Sequence, residues 1–102
     1  MKDNKPTVLL ADDEELVRVL LLQLLKRERC EVVAVARDGE EALQLYQQHK
    51  PDITLLDINM PKLDGMGVLR KIREQDKESF ICIISADAFP DILREATKLR
   101  VA

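Results

Sequence analysis

The amino-acid sequence predicts an α/β fold, one small domain on a doubly wound parallel sheet. Three observations carry that prediction. Short apolar runs of strand length alternate with segments whose apolar residues recur at helical spacing. The connections between them are short, as in repeated β-α-β units. Three of the apolar runs also stop at polar residues, at Asp12-Asp13, Asp57 and Ser85. Strands end this way where their carboxyl tips open on a binding crevice.

"TVLLA" (7–11) is a continuous apolar run, the pattern of a strand covered on both faces. From Glu14 to about Arg29, the residues Leu16, Val17, Leu20, Leu21, Leu24 and Leu25 mark one face of a helix. "EVVAVA" (31–36) is a second strand, rich in Val. "RDG" breaks it, and Asp38 with Glu41 forms a capping box for a helix reaching about His49. Pro51 stops that helix, and "DITLLD" (52–57) is the third strand. Asp64, a helix cap, and Gly65 open a third helix carrying Met66, Leu69 and Ile72. "FICIIS" (80–85) is the fourth strand. Pro90 then suits the first turn of a helix with Ile92, Leu93, Ala96 and Leu99. The order is βαβαβαβα, over a single domain of residues 1–102, with no repeat or linker.

Composition narrows the function classes. Apolar residues make up 46% of the chain, which argues against disorder, and aromatics only 3%, which makes the core aliphatic. A net charge of −3 argues against a nucleic-acid surface, which needs concentrated basic residues. No segment is long and apolar enough to cross a membrane, and the N-terminal apolar run is too short for a signal peptide. Cys30 and Cys82 form no CxxC pair, and read as small hydrophobes in or beside strands of a cytoplasmic protein.

The polar strand tips carry the chemistry. If the first and third strands are neighbours, Asp12, Asp13 and Asp57 crowd into one volume, where like charges repel unless a cation intervenes. Oxygen-only ligands with room for water suit Mg²⁺. Each residue also has a plain reading. Asp12 or Asp13 could cap the following helix, and Asp12 with Glu15 fits a capping box. Asp57 or Ser85 alone could be an ordinary strand-end residue. One helix needs one cap, however, and the joint pattern exceeds what caps and turns require.

These residues together resemble the receiver domain of bacterial response regulators, the phospho-acceptor half of two-component signalling. The matching parts are Asp12-Asp13, Asp57 closing "ITLLD", the loop "DINMPKLDG" (57–65), and Ser85-Ala86 after "FICIIS". The resemblance implies a flavodoxin-like sheet of strand order 2-1-3-4. It implies that Asp57 is the catalytic acceptor carboxylate, phosphorylated by a sensor histidine kinase, a phosphotransfer protein or a small phosphodonor. Asp13 is then the direct Mg²⁺ ligand, with Mn²⁺ as a substitute, and Asp12 acts through water. The Asn59 carbonyl completes the metal set, the Ser85 hydroxyl contacts the phosphoryl group, and the small Ala86 leaves its pocket open. Such a domain is a signalling acceptor that assists its own phosphorylation and dephosphorylation, rather than a turnover enzyme.

The chain also departs from the family pattern. A fifth strand with its lysine, and a fifth helix, are missing before Ala102, and Lys98 lies in a helical pattern. This implies a shortened domain without its effector, weakened phosphoryl contact, and self-association through an exposed fourth strand. Two other functions compete. One is an unphosphorylated interaction module, favoured by the absent lysine. The other is a phosphatase of the haloacid dehalogenase type, disfavoured because its nucleophile follows the first strand in a DxD arrangement. Neither GxGxxG nor a P-loop is present to bind a nucleotide. His49, the single histidine, has no site around it, and "KRER" (26–29) reads as a solvated helix end. Met60 and Met66 read as packing residues.

Overall fold

A computed structural model describes residues 5–58, 60 and 62–84. Seven elements follow in order: β1 (Thr7–Ala11), α1 (Glu15–Arg27), β2 (Glu31–Ala36), α2 (Gly39–His49), β3 (Ile53–Asp57), α3 (Gly65–Gln75) and β4 (Phe80–Ile84). The expected helix after Pro90 lies outside the described residues, as do Asn59, Ser85, Ala86 and Lys98. The strands form one parallel sheet in the order β2-β1-β3-β4, as anticipated.

The direction of each crossover decides which face a helix covers. The β1-to-β2 step runs one way along the sheet and the β2-to-β3 and β3-to-β4 steps run the other. Right-handed crossovers therefore set α1 on one face and α2 and α3 on the opposite one. On the α2/α3 face, Leu9, Ala11, Ala34, Ala36, Leu56 and Ile81 join Ala42, Tyr46, Val68, Leu69 and Ile72 in one buried cluster. Met60 and Met66 are part of it, so both pack as expected.

On the other face, register aligns Val8 with Ile53 and Phe80, and Leu10 with Leu55 and Cys82. Val8 and Leu10 are buried, whereas Ile53, Leu55, Cys82 and Ile84 are half-buried and Phe80 is exposed. Helix α1 lies here, and it buries no residue completely. The apolar face expected of α1 divides into two sectors. Val17, Leu21 and Leu25 are half-buried, while Leu16, Leu20 and Leu24 point to solvent.

Local chemistry sets the helix ends. Asp38 Oδ1 accepts the Glu41 amide at 2.8 Å, as the capping box requires. The returning bond differs: Glu41 accepts the amide of Arg37, one residue before the cap. Asp64 caps α3 by accepting the Gly67 amide. At α1 the cap position is Glu14, with no side-chain cap, so no Asp12–Glu15 box forms. The basic end of α1 is exposed, as expected for "KRER", and Cys30 and Cys82 are free and half-buried.

Candidate functional site

Parallel pairing of β1 with β3 matches Ala11 to Leu56, so the next residue on each strand reaches the same edge of the sheet. Asp12 and Asp13 leave β1 there, and Asp57 ends β3. One carboxylate oxygen from each of the three lies within 4.8 Å of the others. Asp12 is 2% exposed and Asp57 9%, while Asp13 is open to solvent. This is a graded site, with two acids sunk into the sheet edge and a third at the rim.

The three acids are held differently. Asp12 Oδ1 accepts the Glu14 amide at 2.8 Å, which fixes the turn from β1 into α1 and occupies one of its oxygens. The Asp12 amide itself bonds to the Ala36 carbonyl, tying the loop to β2. Arg18, one turn into α1, donates from Nη1 to the Asp12 carbonyl at 2.8 Å. That bond clamps the loop bearing both acids from the helix side, and the sequence alone offered no signal for it.

Behind Asp57 the chain folds back on itself. The Gly65 amide bonds to the Ile58 carbonyl at 2.9 Å, and Met60 N also bonds to that oxygen. A side chain at residue 65 would overlap the Asp57 carbonyl oxygen and the Ile58 Cα. Glycine is needed here for close approach, which brings the start of α3 against the strand tip. Gly39 serves a similar purpose, since a Cβ there would overlap the Leu63 backbone. Lys62, in the left-handed region at φ 70°, reaches Asp38 at 3.7 Å across the same loop. A single sequence shows these glycines as helix starts, and hides what they press against.

The arrangement has a simple chemical capacity. Three hard, anionic oxygens at one point make a donor set suited to a small divalent cation with remaining water ligands. The open groove of about 350 Å³ lined by Leu43, Gln47, Lys62, Leu63 and Lys71 contains none of them. His49 is exposed at the end of α2, and no metal-type cluster of the described residues includes it. Of the residues named from sequence, Asp12, Asp13 and Asp57 are brought together. Asn59, Ser85 and Ala86 fall outside the described residues.

Residues 8–102 match the family model of the response regulator receiver domain. The chain belongs to that family. It is 43% identical over 101 residues to a probable transcriptional regulator, ycf27, of Cyanophora paradoxa, covering 99% of this chain and 41% of the relative. It is 35% identical over 79 residues to the chemotaxis protein CheY of Bacillus subtilis, covering 78% of this chain and 66% of that one. Among solved structures, the signal receiver domain of the NarL regulator from Mycobacterium tuberculosis superposes with a TM-score of 0.89 at 33% identity, over 97% of this chain and 81% of that one. A CheX-CheY-BeF3-Mg complex from Borrelia burgdorferi superposes at 0.88 and 34% identity, over 93% and 72%. This chain spans well under half the length of the first curated relatives it matches, at 34% and 41%.

As a receiver domain, the chain is a signalling module of two-component systems. Receiver domains bind Mg²⁺ through an acidic pocket, and this chain has such a cluster of aspartates. They interact with histidine kinases or phosphotransfer proteins, and relatives carry effector domains beyond the receiver. No helix among the described residues is long and apolar enough to cross a membrane.

Proposed function

We propose that this chain accepts a phosphoryl group on Asp57 in a Mg²⁺-dependent reaction, and that the adduct changes what its surface binds. The convergence of Asp12, Asp13 and Asp57 within 4.8 Å carries the reading. In the proposed step a carboxylate oxygen of Asp57 attacks phosphorus as the bond to the donor breaks. The donor is the phosphorylated histidine of a kinase or phosphotransfer protein, or a small acyl phosphate. The electron pair leaves with the imidazole nitrogen or the carboxylate of the donor, and Asp57 becomes an acyl phosphate.

The metal's contribution is charge neutralisation, which lets an incoming phosphate approach a site already rich in carboxylates. Asp13, at the rim, would be the direct ligand, together with an oxygen of Asp57 and the Asn59 carbonyl. Asp12 has one oxygen committed to the Glu14 amide and would act through water with the other. Arg18 and Gly65 hold the two acidic tips in place from the front and the back. Ser85 would supply a hydroxyl to the phosphoryl oxygens, with the small Ala86 leaving room for them, and that contact would couple the adduct to the chain after β4. Residues 1–102 act as one receiver unit in the cytoplasm, an acceptor rather than a turnover enzyme.

The test incubates the chain with Mg²⁺ and acetyl phosphate, followed by intact-mass and peptide mapping. Modification of Asp57 that is released by hydroxylamine and by alkali, as an acyl phosphate is, and abolished by EDTA and by Asp57→Asn, is the expected result. A phosphoryl adduct elsewhere, or one that survives Asp57→Asn undiminished, overturns the assignment. Calorimetric titration adds a check, because Asp13→Asn should remove Mg²⁺ binding while leaving the circular dichroism spectrum unchanged.

A further inference from the structure

Asp12 and Asp13 leave β1, and Asp57 opens the loop into α3, so the acidic site depends on how two separate loops are held against each other. One short segment, the β2–α2 junction, touches both. At its start, the Ala36 carbonyl that ends β2 accepts the Asp12 amide at 3.1 Å. Two and three residues on, it meets the other loop. Asp38 Oδ2 stands 3.7 Å from Lys62 Nζ. Gly39 lies so close to Leu63 that a Cβ there would overlap the Leu63 carbonyl.

The junction is itself stiffened. The Glu41 amide donates to Asp38 Oδ1 at 2.8 Å, and the Arg37 amide donates to Glu41 Oε1 at 2.9 Å. The Asp38 carboxylate therefore serves two elements at once, capping α2 with one oxygen and facing Lys62 with the other. Across the gap, Lys62 holds φ at 70°, a left-handed backbone that lysine rarely adopts. Such a conformation persists where the surroundings fix it. The Leu63 side chain completes the hold on the loop, lying over Gly67 in the first turn of α3 so closely that a Cβ there would meet it.

We propose that the β2–α2 junction is a brace that sets the spacing between the Asp12-Asp13 loop and the Asp57 loop, and through it the affinity for Mg²⁺. Asp38, Gly39 and Lys62 are its positioning residues, a role that rests on Asp12, Asp13 and Asp57 holding Mg²⁺ as proposed above. None of the three touches the ion or the phosphoryl group. They act through the backbone of the loops that carry the ligands, because a donor set held in its bound geometry before the ion arrives binds more tightly than one that must be ordered.

Calorimetric Mg²⁺ titration at about 0.3 M KCl, where long-range charge effects are screened, tests it, with circular dichroism confirming that each variant is folded. The Lys62 side chain is 60% exposed, so Lys62→Met should leave the fold intact and raise the dissociation constant about twofold to fourfold. Charge alone predicts the opposite sign, because the substitution deletes a cation from the loop that follows Asp57. Lys62→Arg, which keeps the cation, should restore the affinity. Asp38→Asn retains an oxygen for the Glu41 amide and loses the charge, and in that background Lys62→Met should have no further effect. Gly39→Ala drives a Cβ into the Leu63 backbone and should weaken binding at least about tenfold. In the metal-free chain, hydrogen exchange read by mass spectrometry should quicken in the segment 60–64 on Lys62→Met. Unchanged or tighter Mg²⁺ binding by Lys62→Met overturns the brace. So does an equal loss of affinity on Leu69→Ala, since lowered stability would then account for the effect. If the unsubstituted chain binds no Mg²⁺, the reading of the acidic site falls first and the brace falls with it.

Discussion

Helices α1 and α3 were written by the same rule and folded to opposite ends of it. Both place apolar residues at spacings of three and four. In α3, Met66, Val68, Leu69 and Ile72 are buried against the sheet and α2, with the solvent side left to Arg70, Lys71 and Glu74. In α1 no residue is buried, and the stripe of Leu16, Leu20 and Leu24 faces water. The difference lies in what surrounds them. Among the described elements, α3 packs against both α2 and the sheet, whereas α1 meets the sheet alone, and one surface covers only part of so broadly apolar a helix. Periodicity identifies the apolar side of a helix, and packing decides whether that side is sealed.

Substitutions turn the comparison into measurements. Leu69→Ala on the sealed side should destabilise the chain by about 3 kcal/mol in urea denaturation, through lost burial and the cavity left behind. Leu20→Ala on the open side, measured at low micromolar concentration, should change stability by less than about 0.5 kcal/mol. Similar values for the two would break the distinction between the faces. Gly65→Ala comes next, at about 2 kcal/mol, because the new Cβ meets backbone that cannot move without displacing Asp57. Unlike Leu69→Ala, it should also weaken Mg²⁺ binding, which calorimetry would report.

A smaller effect tests the far end of the sealed side. The buried Tyr46 hydroxyl donates to the Asp76 carboxylate and lies near Ser79, and Arg73 also reaches the Asp76 carbonyl. The Tyr46 bond, then the Glu78 and Ser79 amides, hold the Asp76 carboxyl below its usual range. The folded state therefore favours the charged carboxylate. This contribution is present above about pH 4 and is lost as pH falls through the lowered value. Burial, and then the Asp76 contact, push the Tyr46 hydroxyl up, so its neutral form is favoured and stability falls as pH rises beyond about 10. Tyr46→Phe should cost about 1.5 kcal/mol near neutrality and flatten the acid limb of the stability profile. An unchanged acid limb would remove Asp76 from this role.

The smallest effect carries the opposite sign. Among the described residues, the Thr54 hydroxyl is the single buried side-chain polar atom without a partner. It sits on the β3 face that points into the closed core, level with Leu9 and Ile81. Thr54→Val keeps the shape and removes the unpaired group, so stability should rise by up to about 1 kcal/mol. A loss of stability would show that this wall of the core is less closed than the one around Leu69.

Much of the fold was legible because strand length, helical spacing and cap chemistry are local properties. β1, β2 and α2 match the expected bounds, α3 and β4 start where expected, β3 starts one residue later, and α1 is shorter by a residue or two at each end. The Asp38 and Asp64 caps form as anticipated. The Asp12–Glu15 box does not, because Asp12 turns its oxygen to the Glu14 amide while its own amide is held by β2. The acidic site was legible for a related reason: polar residues at the carboxyl tips of strands have one plausible meeting place once the strand order is known. The grip of Arg18 on Asp12 and the press of Gly65 on Asp57 were not legible, since both join positions whose proximity depends on completed loops.

The sequence by itself determined the alternation of strands and helices, the parallel sheet, and the delivery of three carboxylates to one edge. These follow from periodicity, chain direction and the handedness of crossovers, which every segment carries locally. Tertiary structure alone decided which apolar faces are sealed, which acid is sunk and which lies at the rim. Those outcomes depend on how much surface the neighbouring elements can cover, and no segment contains that information about itself.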